Sequence, residues 1–140
     1  MNKWTTIIFA SAMTVISMNA NAHDQHADHN ADGVAKLQLT NLMSAKLAGV
    51  DKTEVIVSRV SVPPHTTLPT HWHPGEEFAY VIDGTVTLWQ KGKDDIVGNK
   101  GDVIMVPLKQ IHTAKTGDEG AVILVFRVHE EGQPERIKAQ

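Results

Sequence analysis

The 140-residue sequence contains no cysteine. This absence excludes disulfide bonds, thiolate zinc sites, a cysteine nucleophile and a lipid anchor on cysteine. The sequence also has no concentrated basic patch, and its formal net charge is −3. A protein that neutralises the phosphates of a nucleic acid usually has such a patch, so we expect no nucleic-acid partner. The hydrophobic share of 41% is that of a folded globular protein.

The first 22 residues have the pattern of a secretory signal. Lys3 provides the positive start, residues 4–18 contain no charged residue, and Ala20-Asn21-Ala22 matches the small-x-small site of signal peptidase. A membrane anchor is the alternative, but the apolar run is shorter than the roughly 20 residues that cross a bilayer. We therefore expect cleavage after Ala22, a periplasmic or secreted protein, and no stable membrane anchor on the mature chain.

The segment that follows the signal is rich in histidine. Residues 23–32 are polar and lack apolar periodicity, so we expect a flexible tail. His23, His26 and His29 could capture a soft divalent metal, and a solvated tail without metal is the alternative. A single domain should then occupy residues 33–140.

The sequence of this domain indicates strands and turns. Runs rich in β-branched residues predict strands at 53–62, 77–82, 85–90, 102–106, 112–115 and 121–128. Asp83-Gly84 lies between two of these runs and predicts a two-residue hairpin turn. Residues 37–47 have some helical character and are interpreted as extended chain or a short helix. Short strands separated by Gly, Pro and Asp predict an all-β, antiparallel barrel or sandwich, with Trp89, Met105 and Phe126 in its core.

A cluster of chemically active residues begins at His71-Trp72-His73. Residues two apart on a strand share a face, so both imidazoles should lie on one side of the sheet. Glu77 can return a carboxylate to that face, and His112 starts a later predicted strand. Three imidazoles and one carboxylate suit one divalent transition metal such as Fe, Mn, Ni, Cu or Zn, and suit Ca or Mg poorly. A lone His-x-His is equally compatible with a pair that binds no metal.

The surroundings of these residues resemble the cupin superfamily, in particular its small single-domain members with a conserved barrel. The first cupin motif is G-x5-H-x-H-x3,4-E-x6-G, and this chain has His71, His73, Glu77 and Gly84 at the matching positions. The second motif is G-x5-P-x-G-x2-H-x3-N. Its matching residues here are Gly101, Pro107 and His112.

The resemblance covers roughly residues 50–130 and has three departures. His65 and Lys109 replace glycines of the first and second motif, and Thr116 replaces the terminal asparagine. In the family these positions belong to turns and barrel edges, so the departures concern local turn geometry. The resemblance implies a cupin barrel or jelly roll in which His71, His73, Glu77 and His112 are metal ligands.

The function that the resemblance implies is broad, because cupins include enzymes, binding proteins and regulators. One reading is a metal-dependent dioxygenase acting on flavonols, diketones or similar enolisable compounds, or a related lyase or isomerase. The alternative is a non-catalytic periplasmic module that binds a metal or a small ligand. The resemblance also suggests a homodimer.

Overall fold

The structure is a computed structural model that describes residues 36–140. The predicted signal at 1–22 and the histidines at 23, 26 and 29 lie outside the described residues. The strands are β1 Gln38–Lys46, β2 Thr53–Val62, β3 His71–Trp72, β4 Gly75–Gln90, β5 Ile96–Asn99, β6 Val103–Val106, β7 His112–Lys115, β8 Ala121–Glu130 and β9 Ile137–Lys138. Within this part of the chain, no helix is long and apolar enough to cross a membrane.

The strands form two antiparallel layers that share the long strand β4. In the first layer β1 pairs with β2, β2 with β8, and β8 with the first half of β4, which also pairs with β6. In the second layer the other half of β4 pairs with β5 and β7, and β3 lies between β7 and β9. The prediction of an all-β antiparallel jelly roll is therefore confirmed.

β4 passes from one layer to the other at Asp83-Gly84, where the sequence predicts a hairpin. That prediction is wrong. A type I′ turn needs positive φ at both central residues, whereas only Gly84 has it, with φ +74°. The pairing with β8 shifts register between Val81 and Asp83, so this position is a bend within one strand. The strand does not turn back because β5 and β7 supply hydrogen-bond partners beyond the bend.

The segment 37–47 contains no helix and consists almost entirely of the edge strand β1, so the extended alternative is the correct one. β1 pairs only with β2, and its side chains are almost all exposed. The pairing runs from Gln38, opposite Ser61, to Lys46, opposite Glu54.

The core lies between the two layers and consists of small and branched apolar side chains. Its buried members are Val60, Val62, Ala79, Val81, Val86, Leu88, Ile104, Val106, Ala121, Ile123 and Val125. The prediction that Met105 and Phe126 belong to the core is wrong, since they are 47% and 41% exposed. Met105 alternates with inward Ile104 and Val106, so strand parity sends it outward despite its apolar character. Trp89 is half-buried.

Candidate metal centre

The structure brings His71, His73 and His112 together at one end of the core. β3 and β7 are paired so that His71 lies directly opposite His112, and His73 follows two residues later on the face of His71. The ring centroids are 4.8 Å apart for His71 and His73, 4.4 Å for His71 and His112, and 5.1 Å for His73 and His112. One nitrogen from each ring lies within 4.8 Å of the others. All three side chains are buried.

A backbone carbonyl fixes the orientation of each imidazole. The Nδ1 atoms of His71, His73 and His112 lie 2.7, 2.5 and 2.9 Å from the carbonyl oxygens of Pro69, Glu135 and Gln110. A carbonyl oxygen can only accept a hydrogen bond, so Nδ1 carries the proton in each ring. In the neutral ring Nε2 then has a free lone pair. Three rings held in this tautomer present three metal-binding lone pairs, the arrangement by which proteins orient histidine ligands.

Burial keeps the rings of His71 and His112 neutral. Burial lowers the pKa of His71 to about 4, although its hydrogen bond to Pro69 acts in the opposite direction. Burial also lowers the pKa of His112. At neutral pH the two rings are therefore unprotonated and available as ligands, because a metal competes with the proton for the same lone pair.

Glu77 lies beside the three histidines and is held by a buried arginine. Its Oε2 accepts a hydrogen bond from Nε of Arg127 at 2.8 Å and lies 3.0 Å from Nε2 of His73. Its Oε1 lies 4.0 Å from Nε2 of His112. Burial would raise the pKa of Glu77, but its close contacts, including the Arg127 charge, outweigh burial and lower the pKa to about 2. Glu77 is thus an anion across the physiological range.

The donor set fits a divalent transition metal. Nε2 of His73 is fully buried without a hydrogen-bond partner, although the Glu77 carboxylate is close. A buried polar atom without a partner is costly, and a cation shared by that lone pair and the carboxylate would satisfy both. His71, His73 and His112 could hold such an ion, and Glu77 lies next to them. Ligation by Glu77 itself stays a prediction.

Sequence reasoning missed Arg127, which lies within the predicted strand 121–128. It is only 2% exposed, and β8 sets it directly opposite Glu77. Its Nη1 contacts Glu135 Oε2 at 3.3 Å and Ser58 Oγ at 3.4 Å. The sequence does contain a sign of this role. Arg127 is separated by even numbers of residues from Ile123 and Val125, so all three side chains face the core. A charge at an inward position requires a buried partner.

The three departures from the cupin motifs lie in segments that connect strands. His65 and Lys109 have positive φ values of 52° and 57°, so both positions adopt the left-handed conformation that glycine accommodates most easily. Lys109 N donates to the carbonyl of His73 at 3.1 Å. Thr116 Oγ1 donates to the carbonyl of Pro63 at 2.5 Å. The turns are thus formed with other residues, and the exposed His65 contacts Asp118 rather than the centre.

An apolar cavity of about 50 Å³ extends from the histidines into the core. We call it the inner cavity. Its polar lining is His71, Glu77, His112, Arg127 and Arg136, and the rest is apolar. The histidine cluster therefore borders a space that a small molecule could enter.

Comparison with known proteins identifies a relative at low sequence identity. The sequence is 26% identical over 99 residues to the auxin-binding protein ABP19b of Prunus persica, covering 67% of this chain and 47% of that protein. The chain thus spans about half the length of this relative.

Two solved structures show the same fold. The DMSP lyase DddQ from Ruegeria pomeroyi DSS-3 has a TM-score of 0.63 at 20% identity, over 82% of this chain and 57% of that one. A cupin-like protein from Thermotoga maritima MSB8 has a TM-score of 0.60 at 20% identity, over 74% and 75% of the two chains. At this identity the likeness concerns the fold alone. The Cupin domain family, however, matches the sequence of residues 58–127, half of the chain, and the protein therefore belongs to the cupin family.

Proposed function

We propose that this protein is a metal-dependent enzyme acting on a small organic molecule, as a dioxygenase or as a related lyase or isomerase. One observation carries the proposal: two of the three clustered imidazoles, His71 and His112, line the inner cavity. A structural metal site is normally closed by protein on all sides. A site that borders a cavity leaves room for a substrate at the ion.

The residues around the cavity have separate roles in this proposal. His71, His73 and His112 would hold the ion, with Glu77 as a fourth ligand. A bound divalent ion would supply Lewis acidity towards an oxygen atom of the substrate. Arg127 holds Glu77 in place through the 2.8 Å hydrogen bond. The apolar walls exclude water, which strengthens the electrostatic effect of every charge in the site.

The size of the cavity limits the substrate. A volume of about 50 Å³ is far too small for a three-ring flavonol, which the family resemblance had included among the candidates. Small diketones and small hydroxy or sugar acids are the better candidates, because only part of such a molecule needs to enter.

The proposal is tested by turnover of metal-loaded protein. Small β-diketones and sugar acids are incubated with the protein in air and under nitrogen, with loss of substrate followed by chromatography. Turnover in air alone supports a dioxygenase, and equal turnover in both supports a lyase or isomerase. Absence of turnover with every metal of the set Fe, Mn, Ni, Cu and Zn would contradict the enzyme proposal.

Replacing one proposed ligand tests the metal site itself. We expect His112→Ala to weaken metal binding more than about 100-fold, since even replacement of a residue that merely supports a ligand costs 10–100-fold. Metal content after dialysis is measured by mass spectrometry, and folding by circular dichroism. The control is His65→Asn, which replaces an exposed loop histidine and should keep one metal per chain. Equal metal content in both variants would contradict the assignment.

A non-catalytic binding module is the second candidate, and the small cavity favours it. An interior with so little space resembles that of a protein whose metal supports the fold. In that case no substrate turns over, and removal of the metal only lowers the melting temperature.

We also propose that the protein is exported and cleaved after Ala22. The support is the signal pattern of residues 1–22. Mass spectrometry of the protein from its native host should show an N-terminus at His23. A soluble cytoplasmic species that retains Met1 would contradict export.

A further inference from the structure

A second, wider space adjoins the metal centre. This outer basin has a volume of about 270 Å³ and is lined by Pro69, Thr70, His71, Arg136 and Lys138. His71 and Arg136 line both the outer basin and the inner cavity. A molecule in the basin can therefore extend past these two residues towards the histidines.

The segment that carries Arg136 and Lys138 is fixed by hydrogen bonds to β3 and its flanking residues, which include His71 and His73. β9 pairs with β3 so that Lys138 lies opposite His71, and Ala139 N donates to the carbonyl of Thr70 at 3.1 Å. On the other side, the carbonyl of Glu135 accepts the hydrogen bond from His73. Arg136 lies between these anchors. Arg136 and Lys138 are two residues apart in extended chain, which places them on the same side.

Neither cation has a carboxylate partner within the described residues. The lysine and arginine ion pairs there involve Lys46, Lys100 and Arg127. Glu77, which lines the inner cavity, and Glu135, which precedes Arg136 in sequence, both pair with Arg127. The basin therefore presents two uncompensated positive charges, and a divalent ion at the histidines would add to them.

We infer that the ligand of this site is a small organic carboxylate. Its carboxylate group binds Arg136 and Lys138, because guanidinium and ammonium groups form charge-assisted hydrogen bonds with carboxylate oxygens. Its other end extends into the inner cavity beside the histidines. This inference names the substrate class of the proposed enzyme and rests on that proposal, although carboxylate binding by itself requires no metal.

The inner cavity sets the length of the ligand. A water needs roughly 10–15 Å³ of such volume, so the 50 Å³ of the cavity accommodates about four non-hydrogen atoms. The apolar walls favour carbon over further charge. A carboxylate with a chain of about two to four carbons fits both spaces.

The inference is tested by binding of defined probes to metal-free and zinc-loaded protein. Propionate, butyrate, propionamide, butyramide and inorganic phosphate are titrated while amide chemical shifts are followed by NMR. The test variant is Arg136→Gln/Lys138→Gln. The control is Lys36→Gln/Lys100→Gln, which removes the same charge from exposed residues near Asp83. Asp83 is six residues from Glu77 along β4, roughly 20 Å away.

We expect butyrate to bind wild type and control equally, and the test variant at least about tenfold more weakly. Butyramide should bind all three weakly. Equal butyrate affinity in test and control variants would overturn the inference, as would butyrate binding no tighter than butyramide. If phosphate binds more tightly than propionate and butyrate, the inference is wrong and the ligand is an inorganic anion. Metal content is measured separately. If the protein binds one metal per chain but no carboxylate, the inference is wrong while the proposed function still stands.

Discussion

At the scale of single residues, the pair of Arg127 and Glu77 supports the metal centre. Both side chains are buried, with exposed fractions of 2% and 9%, and they are joined by a 2.8 Å hydrogen bond. Removing one partner of such a pair leaves the other charge buried without compensation. This is a larger cost than the pair's own net contribution to stability.

We therefore expect Arg127→Met to lower the free energy of unfolding of the metal-free protein by about 3–5 kcal/mol. Urea denaturation measures the change. The double variant Arg127→Met/Glu77→Gln should recover part of the loss, because it removes the stranded charge. Arg59→Met is the control, since Arg59 is exposed on β2, and it should change stability little. A test variant as stable as this control would show that Glu77 needs no partner.

The buried histidines make the stability of the metal-free protein depend on pH. The folded-state pKa of His71 is about 4, below its ordinary 6.5. Between these values the unfolded chain binds a proton that the folded chain does not, so stability falls as pH decreases from 6.5 towards 4. The pKa of Glu77, lowered from 4.5 to about 2, adds stability that is present above pH 4.5 and lost as pH falls towards 2.

Thermal melts of metal-free protein from pH 8 to pH 3 should show a decline that begins near pH 6.5. In His71→Asn this first decline should be smaller, whereas the one below pH 4.5 should persist. A melting temperature that stays constant between pH 6.5 and pH 5 in wild type would contradict the assignment of neutral, buried rings.

The candidate ligands could be predicted from the sequence because strand parity and two sequence motifs are enough to identify them. His71 and His73 share a face by alternation, and the cupin resemblance added Glu77 and His112. The contact between Glu77 and Arg127 could not be predicted in this way. It depends on the register of β8 against β4, 50 residues away in sequence, and register is set by the whole layer.

At the scale of elements, the bend in β4 lets one strand serve both layers. Gly84 has φ +74°, and a Cβ there would collide with the carbonyl oxygen of Gly120. The sequence suggested a turn because Asp-Gly is common in hairpins. The same glycine also suits a bend in a continuous strand. Local residue preference cannot separate the two outcomes, since the difference lies in which strands pair beyond the bend.

Replacing this glycine should therefore be more harmful than replacing an ordinary turn glycine. Gly92 is the matched control, because it has φ +78° but no atom within 4 Å of the position that the methyl group of an alanine would take. Gly92→Ala should cost about 1 kcal/mol through backbone strain alone, and Gly84→Ala about 2–4 kcal/mol through strain and collision. Chemical denaturation of both variants gives the comparison. Equal losses would mean that the bend can move away from Gly120.

At the scale of the whole molecule, the outer face of the first layer carries an exposed apolar patch. The patch consists of Phe78, Tyr80, Val103, Met105 and Phe126, which are 36–67% exposed. Strand pairing makes it continuous, since Phe78 lies opposite both Met105 and Phe126, and Tyr80 lies opposite Val103. Exposed apolar patches of this kind mark interaction surfaces.

We propose that this patch is the interface of the homodimer that the sequence suggested. In a two-fold dimer the same residues meet their own copies, so charged residues would face like charges. The five patch residues carry no charge, which suits a surface that contacts itself. Light scattering after size-exclusion chromatography should give twice the monomer mass. The double variant Met105→Lys/Phe126→Lys should give a monomer, because each interface would then bury four positive charges.

The control for this variant is Val97→Lys, which charges an exposed valine of β5 outside the patch and should leave the dimer intact. Metal content should be the same in all three proteins, because Met105 and Phe126 lie on the opposite face of the layer from Glu77 and Arg127. A dimer that persists in the double variant would place the interface elsewhere. A monomeric wild-type protein would contradict the proposal that the patch is a dimer interface. Loss of metal together with loss of the dimer would show that the two faces of the layer are coupled through its strands.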